Sequence, residues 1–342
     1  MDAPLVALLG DGEIGRWTRF TLRPGAMLWR QDEPADGVAW IAGGRLDVLS
    51  RGTAIGSVEG PALVGEAGGL LGGGHGVGLR AVTECEVYRL DGRGVARLRS
   101  LEAEAYDRLL EAALLALAQR VRTADQRIAE RARGEIEAPP RRRSRESIWS
   151  RITGRARGKP APLLPALRRL PRLERASLEL LEAIFDAATP RYVPRGQALV
   201  LEGDPGGDAW ILASGRLQVL RHIGFQSARR LAWLNPGALL GTTGLLTGGP
   251  RTASIVASEP SWVYAISREG HAGLVGVAGR VWRESLLAAL AAQIRGADGI
   301  LAEAERAGSP QGSGLGRHKT VELPSLLDAA GALQATITAT EE

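Results

Sequence analysis

Short runs of apolar and β-forming residues fill the first part of the chain. Ala26–Arg30, Val38–Ala42, Arg45–Leu49 and Glu86–Leu90 are each broken off by Gly, Pro or Asp. Turn residues recur about every eight to twelve positions, the spacing of an antiparallel barrel or jelly roll. The period then changes. Leu110, Leu114, Leu117, Val121, Ala124 and Ile128 advance by alternating fours and threes, and so do Leu287, Leu290, Ile294, Ala297, Leu301 and Ala304. Each set predicts a helix with a narrow heptad seam. Such a stripe serves either a helix laid on its own β-domain or a helix–helix interface, within one chain or between chains. Leu163–Ala188 also reads as helical, with Ser177 placed to cap Leu178–Ala188.

The chain is written twice. Laying Arg23–Leu49 on Pro194–Leu220 needs no gap: Gly25 falls on Gly196, Leu28 on Leu199 and Pro34 on Pro205. Gly44-Arg45-Leu46-Asp47-Val48-Leu49 falls on Gly215-Arg216-Leu217-Gln218-Val219-Leu220. After a longer turn in the second copy, Ala62-Leu63-Val64-Gly65-Glu66 meets Ala238-Leu239-Leu240-Gly241-Thr242. Near the seams, Val121–Asp125 meets Ile294–Asp298. A repeat of roughly half the chain is a duplicated domain and not a solenoid. The predicted class is α+β, mainly β: two antiparallel β-rolls, each followed by an amphipathic heptad helix. The expected order is a β-roll over 1–98, its helix over 99–132 and a basic linker over 133–162. A second β-domain with its lead-in helix follows over 163–275, then a helix over 276–306 and a tail over 307–342.

Both copies carry Gly-x₁₈-Gly-Arg-Leu-x-Val, and the second continues into Gly241-Thr242-Thr243-Gly244-Leu245-Leu246-Thr247-Gly248-Gly249-Pro250-Arg251-Thr252. Each copy resembles the cyclic-nucleotide-binding domains of catabolite activator proteins and protein kinase A regulatory subunits, over about four-fifths of the chain. The resemblance implies a phosphate-binding cassette. Its Gly-rich turn offers free N–H groups to an anion, an Arg ten residues on pairs the cyclic phosphate, and a Glu after the Gly accepts from the ribose. Neither copy has all three elements. The first keeps Gly65 and Glu66 but has His75 at the Arg position and Gly74 where Pro would precede it. The second keeps Gly241, Gly244, Leu245, Pro250, Arg251 and Thr252 but has Thr242 in place of the Glu. Without the Arg, Glu66 would repel an anion and a neutral His75 would do little to hold one. Two readings stay open for the second copy: a pocket for cAMP or cGMP built on Arg251, or an inherited scaffold whose Arg251 is solvated or paired with protein. Apart from such a ligand, no cofactor is expected.

Charge alters this picture in one place. The chain has 43 Lys+Arg and 38 Asp+Glu, a formal +5. Residues 131–160 alone hold ten basic and three acidic residues, so the rest has 33 against 35, a net of −2. The basic character is thus a feature of the linker, over 139–160 a candidate contact for an anionic surface or else a solvated spacer. Only Lys159 and Lys319 are lysines, which fits an Arg-rich bacterial coding bias.

Known catalytic patterns are missing. Cys85 is the sole cysteine, which excludes an internal disulfide and a cysteine metal cage. His75, His222, His271 and His318 lie in unrelated segments without ligand spacing, so no metal is expected. Gly10-Asp11-Gly12-Glu13-Ile14-Gly15 fits a dinucleotide fingerprint but follows no strand. No catalytic residue is assigned, and a non-enzymatic regulatory or scaffold protein is expected. The 36 residues after Arg306 carry only Arg317, His318 and Lys319 as a basic cluster, which does not suit a DNA-reading helix-turn-helix. Residues 317–342 could instead dock on a protein through Leu323, Leu326, Leu327 and Leu333, and the heptad helices suggest self-association. Leu109–Ala118 and Leu286–Ala292 are too short to span a bilayer. With no basic start before the N-terminal apolar run, a cytoplasmic protein is expected.

Overall fold

The computed structural model describes residues 17–131, 136–137, 159–223 and 227–308. The Gly10–Gly15 pattern, almost all of the 139–160 segment and the 317–342 docking segment lie outside the described residues. The chain divides into two compact units. One takes in the chain up to Ile128 and again from Leu290, and the other includes Ala129–Ala289.

The first unit is a β-roll of β1 (Thr18–Leu22), β2 (Met27–Trp29), β3 (Val38–Gly43), β4 (Arg45–Ser50), β5 (Thr53–Glu59), β6 (Ala62–Val64), β7 (Gly78–Ala81) and β8 (Cys85–Leu90). They form two antiparallel four-stranded sheets, ordered β1-β8-β3-β6 and β2-β7-β4-β5. Leu22, Ala39, Ile41, Leu46, Val64, Leu79, Ala81 and Val87 close the core between them. In β3 the alternate residues Val38 and Trp40 are buried as well. The short helix α1 (Glu66–Leu71) sets Gly69 against Gly37 and Val38, where a Cβ would lie 2.1 Å from the Gly37 carbonyl oxygen.

Two helices follow where one was expected over 99–132: α2 (Gly92–Leu101) and α3 (Ala103–Arg131). Asp91 caps α2 by accepting from the Gly94 N–H at 2.8 Å. The break comes at Glu102, whose backbone leaves the helical region (φ −133°, ψ 62°). All six positions of the first heptad seam, from Leu110 to Ile128, are buried.

The second unit repeats the roll. Strands β10 (Ala188–Val193), β11 (Ala198–Val200), β12 (Ala209–Ser214), β13 (Leu217–Ile223), β14 (Ser227–Leu234), β15 (Leu239–Leu240), β16 (Ser254–Ala257) and β17 (Ser261–Ile266) make sheets ordered β10-β17-β12-β15 and β11-β16-β13-β14-β9. The fifth strand, β9 (Ile136–Glu137), comes from the segment expected to be pure linker and pairs with Ala228 and Arg229 at the sheet edge. Val193, Leu212, Leu217, Leu240, Ile255, Ala257 and Val263 fill the core. The lead-in over Leu163–Ala188 is likewise two helices, α4 (Leu164–Leu167) and α5 (Leu178–Asp186). Pro171 and the positive φ of Arg172 (68°) interrupt it. Ser177 caps α5 as expected, accepting from Leu180 at 3.4 Å. Helix α6 (Thr242–Thr247) occupies the place of α1, and α7 (Arg268–Gly273) that of α2.

The last helix, α8 (Gly276–Gly308), runs for 33 residues. Early in it Trp282 donates its indole N–H to His271 Nδ1 at 3.1 Å, and both residues are buried. From Leu290 onward it belongs to the first unit, which corrects its assignment to the second copy alone. There Arg127 of α3 and Glu305 of α8 lie 3.6 Å apart, and Arg51 and Glu303 lie 3.5 Å apart. The two heptad helices therefore meet inside one chain. By length and composition, α8 over Gly276–Arg306 could cross a membrane, yet half of its apolar window is buried within the protein.

Equivalent glycines hold both rolls. Gly44 (φ 96°) and Gly215 (φ 87°) open β4 and β13, and an added Cβ would lie 2.4 Å from the carbonyl oxygens of Glu84 and Pro260 respectively. Beside them, Cys85 donates to the carbonyls of Thr83 and Arg45 at 3.4 and 3.5 Å, and Ser261 donates to those of Glu259 and Arg216 at 2.8 and 3.5 Å. Burial pushes the Cys85 thiol up, so it is a poor nucleophile. Gly44→Ala or Gly215→Ala should each cost on the order of 2–4 kcal/mol in urea unfolding, from strained φ and backbone collision. Cys85→Ser should cost less than about 1 kcal/mol, because the other copy already has a hydroxyl at that place.

Candidate functional site

Strand β6 delivers Gly65 in the left-handed region (φ 76°), and the turn it makes drops Glu66 into the interior at the start of α1. Glu66 is 1 % exposed. A carboxylate that deep requires a cation, and α3 supplies Arg120, whose Nη2 meets Glu66 Oε1 and also donates to the Leu63 carbonyl at 3.0 Å. The group the cassette pattern reserves for a ribose hydroxyl is thus paired by the chain itself. His75, ten residues after Gly65, is buried and stacks on Trp29 with ring centroids 4.1 Å apart and planes within 3°. Burial pulls its pKa down, with Glu33 opposing and Arg89 assisting, so the ring is neutral near pH 7. His75 is an apolar wall here and not an anion clamp.

A cavity of about 610 Å³ lies beside these residues within the first unit. Its β-roll side carries Trp29, Val48, Ile55, Leu63 and Leu79, and its helical side carries Leu115, Arg120 and Arg127 of α3 with Arg295, Asp298 and Leu301 of α8. Arg127 donates to the Ile55 carbonyl and faces Glu305. Burial raises the Asp298 carboxyl to about 7, against the opposing pull of Arg120 and Arg127. None of Trp29, Arg120, Arg127, Arg295 and Asp298 was expected as a site residue. Arg295 and Asp298 stood out in the sequence only within the repeat of Val121–Asp125. Nothing in the local pattern marks a charged residue beside a heptad seam as facing a cavity.

The second cassette is closed differently. Gly241 (φ 72°) again begins the short helix, and Thr242, Gly244 and Leu245 are buried. Arg251 is 8 % exposed. Its Nη1 donates to the carbonyls of Asp208 at 2.8 Å and Gly241 at 3.3 Å, and its guanidinium carbon lies 4.4 Å from the centre of the Trp210 ring. A Cβ on Gly241 or Gly244 would stand 2.8 or 2.6 Å from that Nη1, so glycine at both positions makes room for the arginine. Burial lowers the Arg251 pKa while Asp208 and Asp204 oppose the shift, and the group remains a cation. Two buried polar atoms at this place, Thr242 Oγ1 and Arg251 Nε, have no partner among the described residues. Pro250 is exposed and Thr252 partly buried. The structure thus gathers Gly241, Thr242, Gly244 and Arg251 at one point, and Gly65, Glu66 and His75 around the cavity of the first unit.

Two outcomes follow for the first cassette. Arg120→Ala leaves Glu66 buried without its cation and should destabilise the protein by on the order of 2–4 kcal/mol in urea, with Glu66→Gln restoring part of the loss in the double variant. Asp298 has its folded pKa above that of the unfolded chain, so between about pH 4 and 7 the folded state holds a proton that the unfolded state has released. Stability should therefore fall as pH rises through that window, with a slope approaching ~1.4 kcal/mol per pH unit. Asp298→Asn should flatten that slope in urea titrations at pH 5, 6, 7 and 8.

A family model described as the cyclic nucleotide-binding domain matches residues 19–101 and again residues 190–275. The cyclic AMP receptor protein of Thermus thermophilus is 38 % identical over 109 residues, which are 32 % of this chain and 50 % of that protein. The chain thus spans about half the length of this curated relative. The crystal structure of the Thermus thermophilus catabolite activator protein aligns at 31 % identity and a TM-score of 0.36, covering 40 % of this chain and 63 % of the other. The regulatory domain of Toxoplasma gondii PKA, crystallised with cAMP, aligns at 13 % identity and a TM-score of 0.31 over 82 % of this chain and 96 % of the other. Each of the two family matches falls on one copy of the duplicated β-roll, and with them the chain joins the cyclic nucleotide-binding domain family as a tandem member.

Proposed function

We propose that this protein is a non-enzymatic, cytoplasmic regulatory scaffold whose two domains act through assembly, with both cassettes held by the chain's own groups. The supporting observation is Arg251. The one cassette arginine the chain retains is almost wholly buried, bonded to the Asp208 and Gly241 carbonyls and laid on Trp210. A cyclic phosphate would find Nη1 already taken by those carbonyls, so that it could not use the whole guanidinium, and it would meet Thr242 where a carboxylate would grip the ribose. Losing one charge-assisted bond weakens micromolar binding roughly ten- to a hundredfold. The first cassette supports the same reading, since Arg120 occupies Glu66 and His75 has no charge to offer.

One observation favours a second reading, a sensor that binds cAMP or cGMP in the second domain. The buried Thr242 Oγ1 and Arg251 Nε have no partner among the described residues, and a ligand oxygen could satisfy both. Titration calorimetry with each nucleotide, on the natural protein and on Arg251→Ala, separates the two. The scaffold reading expects no heat up to millimolar nucleotide. Saturable heat that Arg251→Ala abolishes establishes the sensor instead. Light scattering on the full chain and on a chain lacking residues 317–342 tests assembly. A species larger than a monomer is expected in the full chain, and a strict monomer in both, with no partner recovered, counts against the scaffold.

A further inference from the structure

The second unit carries an apolar helix face that no described residue covers. Leu178 and Phe185 stand two turns apart on α5 and are 54 % and 47 % exposed. Glu182 lies between them, with Glu179 and Asp186 on one flank. All three carboxylates are exposed, and none is in an ion pair with a described residue. We propose that the arginine-rich segment over 139–158 of the same chain docks on this face. Its Trp149 and isoleucines meet Leu178 and Phe185, and its arginines meet the carboxylates.

Connectivity is the first ground. The segment begins just after β9, where Glu137 pairs with Ala228 of β14. It ends just before Lys159, and at Ala161 the chain is fixed again: the Ala161 carbonyl accepts from the Tyr264 hydroxyl at 2.7 Å. Tyr264 in turn lies beside Phe185, with ring centroids 6.2 Å apart. Both tethers thus belong to the second unit, and one of them adjoins the apolar face. Fully extended, the stretch from Trp149 to Ala161 reaches about 40 Å, more than enough to lay Trp149 on Phe185.

Charge is the second ground. Residues 139–158 hold seven arginines and one glutamate. The sheet beside the first tether already presents cations, with Arg216 and Arg230 over the Trp233 ring at 4.2 and 4.7 Å. Like charge turns the segment from that surface, and the carboxylates of α5 draw it the other way. Glu182 is also a helical neighbour of both Glu179 and Asp186, a like-charge arrangement that weakens the helix slightly and that a cation relieves. Composition is the third ground. Ile148, Trp149 and Ile152 set apolar groups among the arginines, and Trp with Arg is the makeup of a contact surface. Docked in this way, the basic segment is neutralised by its own domain and released by salt.

Trypsin reads the docking on the full chain. Every arginine of the segment is a cleavage point, and cleavage follows the undocked population. Glu179→Gln/Glu182→Gln/Asp186→Asn leaves the segment's own sequence intact and should speed the first cut within 141–157 by roughly threefold or more. Leu178→Ser/Phe185→Ser should do the same. Glu259→Gln, at an exposed carboxylate elsewhere in the second unit, should leave the rate unchanged. Raising salt from about 0.05 to about 0.5 M should speed cleavage of the natural chain more than that of the triple variant. Thermal unfolding of each variant shows that it is folded. With Cys85→Ser as background, Ser150→Cys and Glu182→Cys should form a disulfide within one chain under mild oxidation. Ser150→Cys with Glu259→Cys should not. Three results overturn the proposal: a folded triple variant cut at the natural rate, equal linking at positions 182 and 259, or a 150–182 link that joins two chains and so gives the face to a second copy.

Discussion

A charge carried into the interior of a protein must be met by a partner there, and both cassettes are shaped by that requirement. In the first, the left-handed turn at Gly65 carries the Glu66 carboxylate below the surface. Arg120 must then come from α3 to meet it, which ties the helix to the β-roll. In the second, the turn at Gly241 is the same, but the buried charge is that of Arg251. Carbonyl dipoles and the face of Trp210 receive it, and Gly241 and Gly244 leave the space it needs. One backbone device thus supports two opposite charges with two different solutions.

The duplication makes the comparison direct. Core columns keep their character between copies: Leu22 and Val193, Ile41 and Leu212, Leu46 and Leu217, Val64 and Leu240, Ala81 and Ala257, Val87 and Val263. Packing density leaves little freedom at such places, because a change of one methylene is felt throughout a filled core. Cys85 and Ser261 show the same constraint on a polar atom, since each sits under the tight glycine turn and donates to the same two carbonyls of its own copy. Divergence has collected where the copies need not satisfy the same neighbours, at Glu66 against Thr242 and at His75 against Arg251.

The last helix shows why a charge at a heptad flank can acquire a role. Its C-terminal half lies with α3 in the first unit, and the narrow apolar stripe of each helix leaves flanking positions free for polar side chains. Arg127 and Glu305 use that freedom to pair with each other. Arg295 and Asp298 line a cavity instead, and there burial changes what the carboxyl does, holding its proton to about pH 7. Similar residues on a solvated helix face would be ordinary surface charges.

The strands, the tight glycine turns and the helix seams were legible in the sequence because each depends on local chemistry or a short period. Alternating β-formers mark a strand, Gly44 and Gly215 mark a turn no other residue fits, and Leu110 to Ile128 mark one helix face. The duplication was legible for the same reason, since the pattern is written out twice. Where helices end was less so: Glu102 and Arg172 break expected helices through their own backbone angles. What lies opposite a charged side chain was not legible at all. Whether Glu66 awaits a ribose or pairs with Arg120, and whether Arg251 faces a pocket or its own carbonyls, depends on residues 54 positions away in one case and 43 and 10 in the other. The family pattern told which groups the cassettes had lost. Only the tertiary structure could decide which groups now stand in those places, because electrostatic partners are chosen by distance in space and not by separation along the chain.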